Sequence, residues 1–222
     1  MGIKYRVNSN FFKTWSRNMA YILGYLFADG SLEDASYLRG KYLRITSCDL
    51  SIIQAIRKAF ESEHAVVKLA PTTANGKSRY LLRIGDHAIY NDLIRLGLTP
   101  NKSLTMLFPK YIPHNLMADF VRGYFDGDGT IYLEKRKNSY APRAVFTSGS
   151  KKFLEGLSGV VTKYCDLIKI KKVYNSHRSY QLVYKTKEAT KVLDFMFGRM
   201  NKENLFLERK YSIYSNFKSA LS

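Results

Sequence analysis

The chain has few acids, few cysteines and no long apolar run. Its two cysteines, Cys48 and Cys165, have no metal-type spacing, which argues against a zinc site and for reduced thiols. Its four histidines, His64, His87, His114 and His177, are scattered, without the spacings of a histidine-based nuclease. The first residues, Met1-Gly2-Ile3-Lys4, lack the apolar stretch of a signal peptide, and no window is long and apolar enough to span a bilayer. An intracellular protein is expected, in cytoplasm, nucleoid or organelle matrix, with no membrane partner. Acids number 18 against 36 Lys and Arg in 222 residues, a net charge of +18. That imbalance points to a polyanionic partner, most often nucleic acid. What the chain has in quantity is apolar and aromatic residues, 45% and 14%, which argue against disorder and allow a sizeable core.

Two segments are near copies. Ile22-Leu-Gly24-Tyr-Leu-Phe-Ala-Asp29-Gly30 is echoed by Val121-Arg-Gly123-Tyr-Phe-Asp-Gly-Asp128-Gly129. Each is an apolar run with one mid-run glycine, closed by an acid and a second glycine. Other local matches keep the offset. Ile45-Thr46-Ser47 matches Phe146-Thr147-Ser148, and Ser78-Arg79-Tyr80 matches Arg178-Ser179-Tyr180. A near-constant offset across several segments indicates an internal duplication.

The first copy reads as a helix near Trp15–Ala28, a strand after Gly30 and a strand Lys41–Thr46. A helix Leu50–Phe60 follows, capped by Asp49. Strands at 65–69 and 78–84 flank a turn at Asn75-Gly76, and a helix Ala88–Leu96 is opened by Asp86 and closed by Gly97. The second copy repeats the order: helix 116–125, strands 130–135 and 143–148, helix 151–164, strands 168–174 and 179–184, helix 187–196. The fold class is therefore α+β, two pseudo-symmetric αββαββα repeats. They are expected at 1–104 and 116–222, with 105–115 as a linker in which Pro109 and Pro113 break helix continuity.

Gly24 and Gly123 each cost roughly 1 kcal/mol mid-helix relative to alanine. Close contact between the two helices would compensate, and would bring Asp29 and Asp128 together. Gly30, just past the first helix, is expected in left-handed geometry. An acid is disfavoured at a helix C-terminus, and two placed together repel. A divalent cation between them resolves the conflict. Mg²⁺ takes oxygen ligands, so Asp29 and Asp128, with the carbonyls of Ala28 and Gly127, are the candidate ligands.

These segments resemble the paired signature helices of the LAGLIDADG homing endonucleases in their single-chain form. Gly24 and Gly123 match the signature's first glycine, Asp29 and Asp128 its last acid, Gly30 and Gly129 its last glycine. The signature's earlier acid is Asp126 in the second copy but Phe27 in the first, where a packing role is expected. The resemblance implies a monomer whose two curved antiparallel sheets form a saddle along the DNA major groove. It also implies Mg²⁺-dependent hydrolysis of both strands of a long duplex site, short 3′ overhangs and a role in intron mobility. It assigns basic helpers to Lys102 and to Lys210, with Lys202 a rival of Lys210. It assigns the place of a water-binding polar residue to Ser47 and Ser148, whose other reading is capping of the next helix. An RNA-binding maturase acting on intron RNA, or a regulator that binds DNA without cutting, is the alternative on the same fold. With no splicing nucleophile at its start and no His-Asn pair at its end, the chain reads as free-standing and intron-encoded.

Strand alternation then nominates base-reading faces. Tyr42, Arg44 and Thr46 share one face, as do Arg79 and Arg83. In the second copy Tyr132, Glu134 and Arg136 share a face, Arg143 belongs to the next strand, and Gln181 and Lys185 share another face. Lys169, Lys171 and Lys172 are expected at phosphates.

Overall fold

The computed structural model describes residues 5–35, 40–71, 73, 76–137, 140–201 and 203–220. The first repeat comprises α1 (Arg17–Asp29), β1 (Gly30–Ala35), β2 (Gly40–Ser47), α2 (Leu50–Ala59), β3 (Val66–Leu69), β4 (Arg79–Gly85) and α3 (His87–Arg95). The second comprises α4 (Met117–Asp128), β5 (Gly129–Lys135), β6 (Tyr140–Ser148), α5 (Lys151–Tyr164), β7 (Tyr174–Ser176), β8 (Ser179–Lys185) and α6 (Thr186–Phe197), followed by α7 (Glu208–Ser219). Each repeat contributes one antiparallel four-stranded sheet, ordered β1-β2-β4-β3 and β5-β6-β8-β7. The two orders are the same, so the duplication holds at the level of topology.

Helices α1 and α4 pack against each other at the centre. Met19 to Phe27 are buried without interruption, and so are Phe120 to Phe125. A helix buried on all sides belongs inside a core rather than on a surface. The contact depends on its glycines. A Cβ on Gly24 would lie 2.0 Å from the Phe120 carbonyl oxygen, and one on Gly123 would lie 1.9 Å from that of Tyr21. Phe27 packs on Phe120 and Phe153, with ring centroids 5.6 and 6.0 Å away. One core therefore runs through both repeats.

Amphipathic α2 and α5 bury Ile52, Ile53, Ile56 and Phe153, Leu154, Leu157 respectively. Ser16 caps α1 by accepting from the Met19 N–H at 3.1 Å. Asp86 caps α3 through the Ile89 N–H at 2.8 Å. Helix α3 ends in a Schellman pattern, Gly97 N–H to Ile94 O and Leu98 N–H to Leu93 O, which requires the positive φ of 96° at Gly97.

Several expectations are corrected. Gly30 is not left-handed: its φ is −84° and ψ 150°, extended, and the chain passes straight from helix into strand. Glycine is needed there for space, since a Cβ would lie 2.7 Å from the Leu26 carbonyl oxygen. Asp49 sits at the N-cap of α2 but makes no capping bond, because its carboxylate faces Arg209 at 3.2 Å. The strand expected at 168–174 shrinks to β7, Tyr174–Ser176. Its Ile-Lys alternation mimics a half-buried strand, yet Ile168 and Ile170 are exposed. Lys171 instead fastens the segment to α5, its N–H and C=O both bonded to Ser158 Oγ at 2.9 Å. Lys171 Nζ meets Glu188 at 2.5 Å, so it is already paired. Arg136 lies just past the end of β5 rather than within it. Helix α7 was not anticipated. Asn75, in the expected turn, and Lys202 lie outside the described residues. Among the described residues no helix is long and apolar enough to cross a membrane.

Candidate metal and nucleic-acid site

Asp29 and Asp128 are the last residues of α1 and α4, and the crossing of those helices brings their carboxylates to one place. Gly127 makes room for it. A Cβ there would fall 2.3 Å from Ala28 Cβ and 3.4 Å from Asp29 Oδ2. Burial, and then the charge of Asp128, push the Asp29 carboxyl up to about 6. Burial raises Asp128 as well, opposed by Lys102 and then Lys210. Both residues are half-buried.

The two lysines reach the pair differently. Lys102 comes from the turn after α3 and is 6% exposed. It donates to the Ala28 carbonyl at 2.9 Å. An ammonium thus occupies one carbonyl nominated for metal. Burial lowers the Lys102 pKa, against the pull of Asp128 and then Asp29. Lys210 comes from α7 and is 2% exposed. It donates to the carbonyls of Phe125 at 2.5 Å, Asp126 at 2.9 Å and Gly129 at 2.5 Å. The first two are end carbonyls of α4 and the third opens β5, so Lys210 spends all three donors where that helix passes into its strand, at the negative end of the helix. Burial brings it down to about 8.

Asp126, absent from the first repeat, anchors this second arrangement. It is 1% exposed and accepts from Tyr21 Oη and from the Leu207 N–H, both at 2.8 Å, the second fixing the start of α7. Its Oδ1 has no partner, and burial raises its pKa to about 6.

Ser47 and Ser148 end β2 and β6. Ser47 Oγ accepts from the Asp49 N–H at 3.2 Å and lies beside the Tyr25 hydroxyl, which also neighbours the Asp29 carboxylate. Ser148 accepts from the Ser150 N–H at 3.1 Å and lies beside Tyr124. Tyr124, however, donates to the Thr147 carbonyl at 2.7 Å. Ser47 is thus connected to a site acid, whereas the tyrosine beside Ser148 turns to backbone. Tyr25 was missed from sequence. The available signal was its place four residues before Asp29 on one helix face, repeated by Tyr124 before Asp128.

Two or more carboxylates with backbone carbonyls form a hard oxygen donor set, suited to Mg²⁺ or Ca²⁺. Among the described residues no group of three or more His, Cys, Asp or Glu could hold an ion alone, so further ligands would come from water or substrate.

The sheet faces turned away from the core carry the nominated readers. Tyr42, Arg44 and Thr46 alternate with buried Leu43 and Ile45. Arg79 and Arg83 share a face of β4, and Gln181 and Lys185 one of β8. Glu33 joins Arg44 at 2.6 Å and Arg83 at 3.0 Å. Glu134 takes Arg143 through Nη2 at 2.7 Å and Nε at 3.1 Å. Tyr132 and Arg136 are exposed.

Residues 115–194 match the family described as LAGLIDADG-like domain. A curated relative, the probable translation initiation factor IF-2 of Methanocaldococcus jannaschii, is 28% identical over 171 residues. The match covers 74% of this chain but 13% of that protein, so the chain spans a small part of the relative's length. The fold is similar to homing endonuclease I-WcaI bound to its DNA recognition sequence, with a TM-score of 0.62, 13% identity and coverage of 92% of this chain and 90% of that one. I-DmoI in complex with DNA and Ca gives a TM-score of 0.59, 14% identity and coverage of 94% and 99%. The LAGLIDADG homing endonuclease I-LtrWI bound to target DNA gives 0.52, 13%, and 96% and 90%. The second repeat thus matches the LAGLIDADG-like family, and the whole chain has the fold of the single-chain, two-repeat LAGLIDADG homing endonucleases.

Proposed function

We propose that this chain is a site-specific endonuclease that hydrolyses both strands of a long DNA duplex with Mg²⁺, leaves short 3′ overhangs and promotes intron mobility. It works as a monomer, with residues 1–104 and 116–222 on the two half-sites and 105–115 joining them. The observation that carries the reading is the meeting of Asp29 and Asp128 at the ends of two helices that touch through glycine. Two repelling, half-buried carboxylates cost the fold stability unless a cation joins them. The similar structures bound to DNA, and one to DNA and Ca, support the substrate and the ion.

Asp29 and Asp128, with the Gly127 carbonyl, would hold the cation. When bound, it lowers the pKa of water and offsets charge on the scissile phosphate. The protein's own part is orientation and charge. Tyr25, backed by Ser47, fixes the Asp29 carboxylate. Lys102 has Ala28 as its acceptor among the described residues, which leaves two N–H donors for a phosphate oxygen. Lys210 has none to spare, and its role is to hold the end of α4.

The test is selection of cut molecules from a randomised duplex pool in Mg²⁺, repeated in Ca²⁺. A unique long site, cut by the protein and left whole by Asp29→Asn and Asp128→Asn, is expected. Tight RNA binding with no cut duplex in either ion would overturn the reading in favour of a maturase.

A further inference from the structure

The two sheets differ at positions that the duplication makes equivalent. Gly30 and Gly129 open β1 and β5, facing Ile45 and Phe146 across the strands. One step on, a cross-strand row on the outward face holds Ser31, Arg44 and Arg83 in the first sheet. The equivalent row in the second sheet holds Thr130, Val145 and Val183. The next row holds Glu33, Tyr42 and Gly85 in the first sheet, and Tyr132, Arg143 and Lys185 in the second.

Arg44 and Arg83 stand directly opposite each other, an arrangement that by itself repels. Glu33 holds both, one on each carboxylate oxygen, and the Arg83 guanidinium lies 3.5 Å from the centre of the Tyr42 ring. One carboxylate shared by two guanidiniums leaves a net positive charge. Arg83 meets Glu33 through Nε and keeps both Nη groups, while Arg44 meets it through Nη1 and keeps Nη2. In the second sheet Glu134 occupies Nε and Nη2 of Arg143, so one carboxylate consumes one arginine fork. The row equivalent to the arginine pair offers Val145, 8% exposed, and Val183, neither with a side-chain donor.

We propose that Arg44 and Arg83 read guanine in the half-site under the first repeat, that the symmetry-related position under the second repeat is not read as guanine, and that the protein therefore takes its DNA in one orientation. The inference rests on the DNA-binding reading above. Guanine O6 and N7 are acceptors spaced for a planar pair of N–H donors, and arginine is their commonest partner in the major groove. A guanidinium clamped by Glu33 and stacked on Tyr42 loses little freedom when it engages a base. An apolar row complements only the thymine methyl.

The experiment selects bound duplexes from a randomised pool in Ca²⁺, so that its readout is binding. The wild type is compared with the double variant Arg44→Ala/Arg83→Ala, and thermal melting checks that both are folded. The wild type is expected to enrich guanine at a fixed position in one half only. The double variant is expected to lose that enrichment, keep the preferences of the other half, and bind the best wild-type site at least about tenfold more weakly. A second arm leaves the protein untouched: 7-deazaguanine at the selected position removes N7 and should weaken wild-type binding several-fold, with no effect on the double variant. Guanine enriched equally in both halves, or enrichment that survives the double substitution, would overturn the inference while leaving the endonuclease reading intact. Failure of the wild type to bind any duplex would overturn both.

Discussion

The first repeat brings its lysine to the central site from a single turn after α3, and the second brings its own from an added helix. Lys102 rests on one carbonyl, that of Ala28, next to the acid that ends α1. Lys210 is clasped by three carbonyls and backed by Asp126. Where the second repeat has buried Asp126, the first has Phe27 in an aromatic cluster. Tyr25 turns to Asp29, whereas Tyr124 turns to backbone. The crossing itself is close to symmetric: Gly24 lies on Phe120 and Gly123 on Tyr21 at nearly the same separation. Symmetry is imposed where two backbones touch, because not even a Cβ fits on either side. Away from that contact the copies are free to differ, and they do so where protons and charge are handled.

The widest test of the comparison removes one acid at a time. Asp29→Asn and Asp128→Asn should each reduce cleavage by more than about 100-fold, since even outer partners of a metal ligand are worth about 10–100-fold. Single-turnover assays on each labelled strand check this. In metal-free buffer the same change at Asp29 should stabilise the fold. A carboxyl raised to about 6 in the folded protein, from an ordinary 3.8, binds its proton more tightly there than in the unfolded chain. Its ionised form is therefore a penalty that grows from pH 4 to 6 and is complete above. Asp29→Asn should gain on the order of 3 kcal/mol at pH 8 and little at pH 4. An equal difference from the wild type at both pH values would show that neither burial nor Asp128 penalises the Asp29 carboxylate.

Next in size is the glycine contact. A methyl at Gly24 or Gly123 would drive into a main-chain oxygen that cannot rotate away. Gly24→Ala and Gly123→Ala should each cost about 3 kcal/mol or more, at the upper end of overpacking penalties, and by similar amounts. Denaturant midpoints measure it. A large difference between the two would mean that the crossing is not symmetric in energy.

The lysines should separate the repeats most clearly. Lys210→Met leaves three carbonyls without their donor and a buried carboxyl without its cation, and should cost about 3 kcal/mol. Lys102→Met should cost less stability and more cleavage. Melting curves together with single-turnover rates give both axes, and the reverse pattern would make Lys210 the working lysine.

Divalent ions supply a gentler probe. Ca²⁺ at about 100 times its dissociation constant should stabilise the protein by about 2.7 kcal/mol at pH 8. At pH 5 the shift should shrink, because protons then compete for Asp29. No shift is expected for Asp29→Asn at either pH.

The framework was legible in the sequence because its causes are local and doubled. Apolar spacing marked α1 and α4, glycine marked their contact, and the repeat offset paired Asp29 with Asp128. What stayed hidden depended on distant partners. Helix α7 buries Lys210, Tyr214 and Phe217, a sound helical stripe, but a lysine at its first position erases the apolar pattern. The false strand at 168–174 shows the converse, apolar alternation without a sheet to receive it. Phe27 and Asp126 differ in type at matched positions, yet only Tyr21 and Leu207, distant in sequence, show what Asp126 does.

The smallest effect lies at the other end of the same two helices. Ser16 closes the start of α1 through the Met19 N–H, whereas Leu116 precedes α4 with no side-chain cap. Helix α4 is led instead by the turn His114–Leu116 and carries Asp119 in its first turn, bonded to Arg122 at 2.6 Å. The Arg122 guanidinium continues to the carbonyls of Met196 and Leu205, tying that start to the end of the second repeat. Ser16→Ala should therefore cost about 1 kcal/mol, the ordinary value of a lost cap, with the hydroxyl replaced by nothing. Arg122→Met at the uncapped helix should cost more, because it strands buried Asp119. Melting of Arg122→Met no lower than that of the wild type would mean that α4 is held at its start by packing alone, with its ion pair contributing nothing.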